Sequence, residues 1–227
     1  MIRILPFLLL TLAGCEALAS ASFTVGVEAE LGGSDFALPD ELREETPSGP
    51  RIVELPCGPM GMCPGNDEVA ISCEGGLCNP APQTIEINIG DVIDLDELAG
   101  DADQLFNQVD TIEILSVEYQ VRRNTLTIDT TTVDVFWGPA GSVAIDESTG
   151  PRRIGTLPML SAGETGEGDI TLDAAGSAAF TQHFESVGHR FRFFARTDLD
   201  LEPGGAFPDG ELEVAVRMRV RISGSLL

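Results

Sequence analysis

The stretch ELEVAVRMRVRI, residues 211–222, constrains the fold more than any other part of the chain. Leu212, Val214, Val216, Met218, Val220 and Ile222 fall on alternate positions, with Glu211, Glu213, Arg217, Arg219 and Arg221 between them. Successive side chains of an extended strand point to opposite faces, so a period of two describes a strand with one buried and one solvated face. A helix would scatter the same residues around its circumference. HRFRFFARTDLDLE, residues 189–202, repeats the pattern: Phe191, Phe193, Ala195 and Leu199 read inward, and Arg190, Arg192, Arg196, Asp198 and Asp200 outward.

Each of these strands runs between a basic and an acidic end. A plain hairpin would set Arg190 against Arg221 and Asp200 against Glu211, and like charges directly opposite are destabilising. Either the connection between them carries the chain to another sheet, or the arginines meet carboxylates from elsewhere. Outward Glu113, Glu118 and Asp134 are internal candidates. Arg190, Arg192, Arg217, Arg219 and Arg221 are thus a candidate patch for an anion or a partner, set against neutralisation by acidic neighbours on adjacent strands.

The rest of the chain reads as further strands. FTVGVEAEL (23–31) and TIEINI (84–89) alternate, and TIEILSVEYQV (111–121) and TLTIDTTTVDVFW (125–137) are long strands joined by a tight Arg122-Arg123-Asn124 turn. Both long strands shift phase once, near Ile114–Leu115 and Thr130–Val133, which predicts β-bulges. RIGTLP (153–158) and GDITLD (168–173) are shorter. LDELAGDADQLFNQV (95–109), weakened by Gly100, and AAGSAAFTQHFESV (174–187) have helical spacing. Residues 32–51 are polar and breaker-rich, the composition of a loop.

This pattern predicts an antiparallel β-sandwich of immunoglobulin-like type, with one or two short helices and a disulfide-stapled N-terminal segment. From Thr84 to Ile222 the organisation is similar to the immunoglobulin-like sandwiches of the late-embryogenesis-abundant type 2 class. TLP, the Gly-rich SAGETGEG and a strand–helix–strand ending carry that likeness, and it implies fold alone. The expected division is 1–14 signal peptide, 15–82 strand, loop and Cys-rich stapled segment, and 83–227 sandwich.

Met1 to Ala13 contains one early charge, Arg3, and the apolar run ILPFLLLTLA, too short to span a bilayer but suited to a signal peptide. It ends in Leu12-Ala13-Gly14-Cys15, which resembles the lipobox of bacterial lipoproteins. The resemblance implies that Cys15 is diacylated and becomes the first residue after cleavage, anchoring the protein to a membrane. Ordinary secretory cleavage competes, since Ala17-Leu18-Ala19 and Ala19-Ser20-Ala21 are both small-x-small sites. Either route leaves Cys57, Cys63, Cys73 and Cys78 to pair. Their x5, x9 and x4 spacings lack the close ligand pairs of a zinc site, so two disulfides are expected, with three connectivities open.

Thirteen arginines, no lysine and 37 acidic residues give a net charge of −24. A field of that sign repels nucleic acid and anionic lipid surfaces. G-x-S-x-G, H-E-x-x-H and phosphate-loop signatures are missing, and His183 and His189 are the only imidazoles. His183 reads as a structural histidine. Twelve-residue frames from Asp91 and Asp94 end at Ala102 and Leu105 rather than Glu, which excludes an EF-hand. Asp198, Asp200 and Glu202 could form an irregular strand-end calcium site.

The expectation is an exported envelope lipoprotein with a structural or interaction role, no catalysis, no cofactor and no resident metal. Its partners would be a membrane, through the N-terminal lipid, and another envelope protein or glycan. The alternative is a binding module taking Ca²⁺ at the acidic strand end or an anionic glycan on the arginine face. A soluble periplasmic or secreted protein is the alternative localisation.

Overall fold

The two alternating C-terminal strands lie in different sheets. The structure is a computed structural model that describes residues 18–31, 38–64, 69–94, 97, 109–148, 150–186 and 188–225. Its strands are β1 (Leu18–Leu31), β2 (Arg43–Thr46), β3 (Gly49–Ile52), β4 (Ile71–Glu74), β5 (Leu77–Pro80), β6 (Gln83–Asp94), β7 (Val109–Asn124), β8 (Val133–Pro139), β9 (Arg152–Leu157), β10 (Gly166–Asp169), β11 (Thr171–Leu172), β12 (Arg190–Leu199) and β13 (Leu212–Ser225). The helix α1 spans Ala174–Ser186. One sheet has the order β1-β13-β7-β10 and the other β11-β9-β8-β12-β6, and every described pairing is antiparallel.

The alternation sets this architecture. On β13, Leu212, Val216, Met218 and Val220 are buried while Arg217, Arg219 and Arg221 are exposed; on β12, Phe191, Phe193, Ala195, Thr197 and Leu199 are buried. A small interior cavity of about 30 Å³ is lined by Val133, Val135 and Ala195 from one sheet and Leu212, Val214 and Val216 from the other, so the inner faces meet there. Burying such side chains contributes roughly 1.5–3 kcal/mol each, the main drive for sheet-on-sheet packing. Strand β1 lies along β13 for its whole length, from Leu18 opposite Ser225 to Leu31 opposite Leu212. The segment before the staples thus completes a sheet of the sandwich.

The bulge expected near Ile114–Leu115 is present. Ser116 pairs with Arg219 and Ile114 with Val220, which leaves Leu115 unpaired between them and 38% exposed. The tight turn at Arg122–Asn124 is not: these residues finish β7, and β7 and β8 sit in opposite sheets. Asn124 is buried and its amide donates to Ser161 O (2.8 Å) and Glu164 O (3.0 Å), which holds the chain extended past the expected turn. Residues 125–132 then cross between the sheets. Thr125 N–H donates to Glu211 O, Thr127 N–H to Asp209 O and Thr131 N–H to Asp198 O. The phase shift at Thr130–Val133 is therefore where β8 begins, not a bulge within one strand.

GDITLD also divides between sheets, with β10 on β7, β11 on β9 and buried Ile170 at the switch. Part of the segment read as a loop carries regular structure. Within 32–51, residues 38–51 are described, and β2 and β3 form a hairpin with Leu38, Leu42 and Ile52 buried. Hydrogen bonds from Ile52 N–H to Gly205 O and from Gly204 N–H to Ile52 O dock it on the β12–β13 connection. The helix at 174–187 is realised as α1. The candidate helix at 95–109 lies almost wholly outside the described residues, and Val109 itself opens β7.

The stapled segment is a second hairpin, β4–β5, on which Cys73 and Cys78 stand directly opposite. They do not bond to each other. Cys57 joins Cys73 and Cys63 joins Cys78, so the 57–63 loop is tied to both strands. Cys78 N–H donates to Leu55 O, continuing the hairpin toward β3.

Candidate functional site

The five arginines of the candidate patch do not form one surface. Because β12 and β13 turn their apolar residues to a shared core, their polar residues point to opposite outer faces of the sandwich. Arg217, Arg219 and Arg221 lie on one face and Arg190 and Arg192 on the other. On the first, the neighbouring strand β7 supplies partners. Arg221 Nη1 lies 3.1 Å from Glu113 Oε2, Arg219 is bonded to Glu118, and Arg217 donates to Gln120 Oε1 at 3.4 Å. On the second, Arg190 Nε lies 3.1 Å from Asp94 Oδ2, and the Arg192 Nε is buried without a hydrogen-bond partner. Glu113 and Glu118 thus act as the internal counter-charges the sequence suggested. Asp134 serves Arg153 instead, at 3.5 Å.

A site the sequence reading missed lies where α1 begins. Asp134, Phe136, Glu147, Arg152, Arg153, Asp173 and Arg196 border a groove of about 420 Å³ on the outer face of the five-stranded sheet. Asp173 caps the helix: its Oδ1 accepts the Gly176 N–H at 2.8 Å, and its Oδ2 is 3.3 Å from Arg153 Nη2. These bonds favour the charged form and lower the Asp173 pKa, the backbone donor being the largest cause. The same pairing, with help from Asp134, raises the Arg153 pKa. Arg196 bonds Glu147 at 2.8 Å and stacks 4.7 Å from the Phe136 ring, while Arg152 donates to the Glu147 carbonyl. Asp173 directly before AAGSAAF was the available signal, as the N-cap of the predicted helix.

Behind the groove stands an aromatic layer. Trp137 Nε1 donates to Gly176 O at 3.1 Å, and the Trp137 ring meets Phe180 edge-on at 5.3 Å and His183 at 5.2 Å. Phe184 and Phe191 continue the stack. His183 is lodged in this layer, with its Nε2 buried and unpartnered, and burial lowers its pKa despite a hydrogen bond to the Arg190 backbone. That arrangement suits a structural histidine.

The strand-end carboxylates do not converge. Asp198 accepts the Thr84 hydroxyl at 2.6 Å, and Glu202 lies with Glu54 and Glu74 along a shallow recess. Among the described residues, the only His, Cys, Asp or Glu donor atoms that gather in a group of three or more are the sulfurs of Cys57, Cys63 and Cys78, all committed to S–S bonds. Cys15 lies outside the described residues. No helix among the described residues is long and apolar enough to cross a membrane.

No family model matches the chain, and no curated protein does either. Among solved structures, a chain of Desmodium yellow mottle tymovirus aligns over 100% of this chain and 92% of its own, at 9% identity and a TM-score of 0.28. A chain of infectious bursal disease virus, Gx strain, aligns over 96% of this chain and 54% of its own, at 10% identity and a TM-score of 0.26. At such TM-scores neither likeness bears on what the protein does.

Proposed function

We propose that the protein is an exported cell-envelope lipoprotein, anchored by lipid on Cys15, with a structural or interaction role and no catalysis. The observation that carries this reading is the pairing of Cys57, Cys63, Cys73 and Cys78 into two disulfides, the chemistry of an oxidising compartment. Strand β1 adds support for the cleavage site. It is paired from Leu18 onward, so cleavage after Ala19 or Ala21 would cut into the ladder, whereas cleavage before Cys15 leaves it whole. The counter-charged arginines favour an interaction role other than glycan capture, because Arg190, Arg219 and Arg221 already face carboxylates.

Mass spectrometry of the purified native protein, with and without reductant, tests the proposal. The expected result is a diacylated Cys15 at the N-terminus and a gain of four hydrogens on reduction. A free mature chain starting at Ser20 or Ser22 would overturn the lipid anchor, and four free thiols would overturn the export.

A further inference from the structure

Resting on the lipid attachment at Cys15 proposed above, we infer that the chain stands end-on at the bilayer, with the α1 end of the sandwich against the headgroups and the stapled hairpin at the far end. The tether makes the first half of the case. Strand β1 begins at Leu18, so Glu16 and Ala17 are all that separates it from Cys15, and three residue steps reach about 10 Å at most. Whatever lies beside Leu18 must lie beside the membrane.

The topology says what lies there. Leu18 pairs with Ser225, and Val109 with Gly224, so the start of β1, the start of β7 and the end of β13 share one end of their sheet. The other sheet is aligned with it by the crossings at 125–132 and 200–211. These bring Leu199, the end of β12, and Leu212, the start of β13, to the same far end. The near end therefore holds the start of β12 and the end of β6, where Arg190 pairs with Asp94. It also holds the end of β8 at Pro139, the following loop with Val143 80% exposed, and the start of β9, against which α1 packs.

The far end carries the β2–β3 hairpin, docked on Gly204 and Gly205, and the stapled hairpin beyond it. Met60 and Met62, 92% and 57% exposed, project there from the disulfide-tied loop. The fourteen residues of β1 span about 43 Å at 3.3 Å per step, which sets the stand-off. Arg219 and Arg221 on one face and Arg190 on the other meet carboxylates, and a net charge of −24 opposes anionic headgroups. The surface offered to the compartment is thus the stapled end, and the surface given to the lipid is the α1 end.

The test uses the mature chain coupled through the Cys15 thiol to a maleimide lipid in phosphatidylcholine nanodiscs doped with a gadolinium-chelate lipid. Methionine ¹³C-methyl resonances report distance from the bilayer. Met60 and Met62 are native probes of the far end. Exposed Met159 is another, next to Leu160, whose carbonyl accepts the Thr130 N–H of the 125–132 crossing. Val143→Met, at an exposed position, reports the near end. The expected result is a several-fold rise in relaxation rate at Val143→Met and no change at Met60, Met62 or Met159. Equal enhancement at all four, or a larger one at Met60, overturns the end-on stance. A ten-residue Gly-Ser insertion after Ala17 should erase the contrast, and its persistence would overturn the short tether as the cause. The chemical tether separates this outcome from that of the lipoprotein reading, which the N-terminal mass decides.

Discussion

Replacing glycine with alanine inside a helix normally stabilises it by about 1 kcal/mol, and at Gly176 the sign should reverse. A Cβ there would fall 1.6 Å from Arg153 O and 2.7 Å from its carbonyl carbon. Ordinary C···O contacts begin near 3.3 Å, so the first turn of α1 must retreat from β9 by about 1.5–2 Å. That movement strains two bonds made by the same residue, the Gly176 carbonyl to Trp137 Nε1 and the Gly176 N–H to Asp173. Overpacking costs about 1–3 kcal/mol, a buried indole N–H without a partner about 1–3, and a weakened cap about 1. Against the propensity gain of about 1, the net destabilisation is about 2–6 kcal/mol. In a chain of this size that lowers Tm by about 4–24 °C. Trp137 is the single tryptophan, so its fluorescence through a urea or thermal transition reads the site directly. Ala178→Gly, at an exposed position of the same helix, is the control and should cost about 1 kcal/mol. A Gly176→Ala protein as stable as wild type would refute the close helix–strand approach.

Other consequences can be checked with the same protein. Removing one staple with Cys63→Ala and Cys78→Ala frees a loop of sequence separation 15, worth about 3 kcal/mol of closure entropy, and limited proteolysis should then cut within 57–80 while Trp137 fluorescence stays native; simultaneous loss of both signals would contradict a separately stapled hairpin. Burial holds the His183 pKa below its ordinary 6.5, so the unfolded chain binds the extra proton first and stability should fall as pH drops below about 6.5, down to the depressed folded value. His183→Phe should flatten that slope in urea titrations at successive pH values, and an unchanged slope would assign it to other groups. Arg219→Ala should cost under about 1 kcal/mol, as exposed ion pairs do, whereas Arg219→Glu beside Glu118 should lower Tm further at low salt and recover at high salt. A salt-independent loss would show that packing rather than charge is involved.

The parts of the fold legible in the sequence are those fixed by local periodicity. β12 and β13 follow from alternation alone, the Leu115 bulge from a slip in it, and α1 from helical spacing. What the sequence hid is where the chain changes sheets. Asn124 looked like a turn residue because Arg-Arg-Asn is short and polar, but its amide bonds lie 37 and 40 residues away, at Ser161 and Glu164. GDITLD reads as one strand because both halves are extended, and only Ile170 passing into the core separates them. Disulfide pairing was equally hidden. Cys73 and Cys78 oppose each other across a hairpin, yet each is bonded to a loop cysteine instead.

The meaning of the charge pattern changes with topology. Read along the chain, arginines on alternate positions of two strands suggest a cationic surface. Once β12 and β13 occupy opposite sheets, each row faces a neighbouring strand with carboxylates in register: Arg221 opposite Glu113, and Arg190 opposite Asp94. Cross-strand pairs of this kind contribute only about 0.2–1 kcal/mol each, so they add little to stability. They do specify register, because a slip by one residue would set the arginines against inward apolar positions. The counter-charged rows leave the excess carboxylates as the protein's net field, which repels anionic surfaces and other acidic copies.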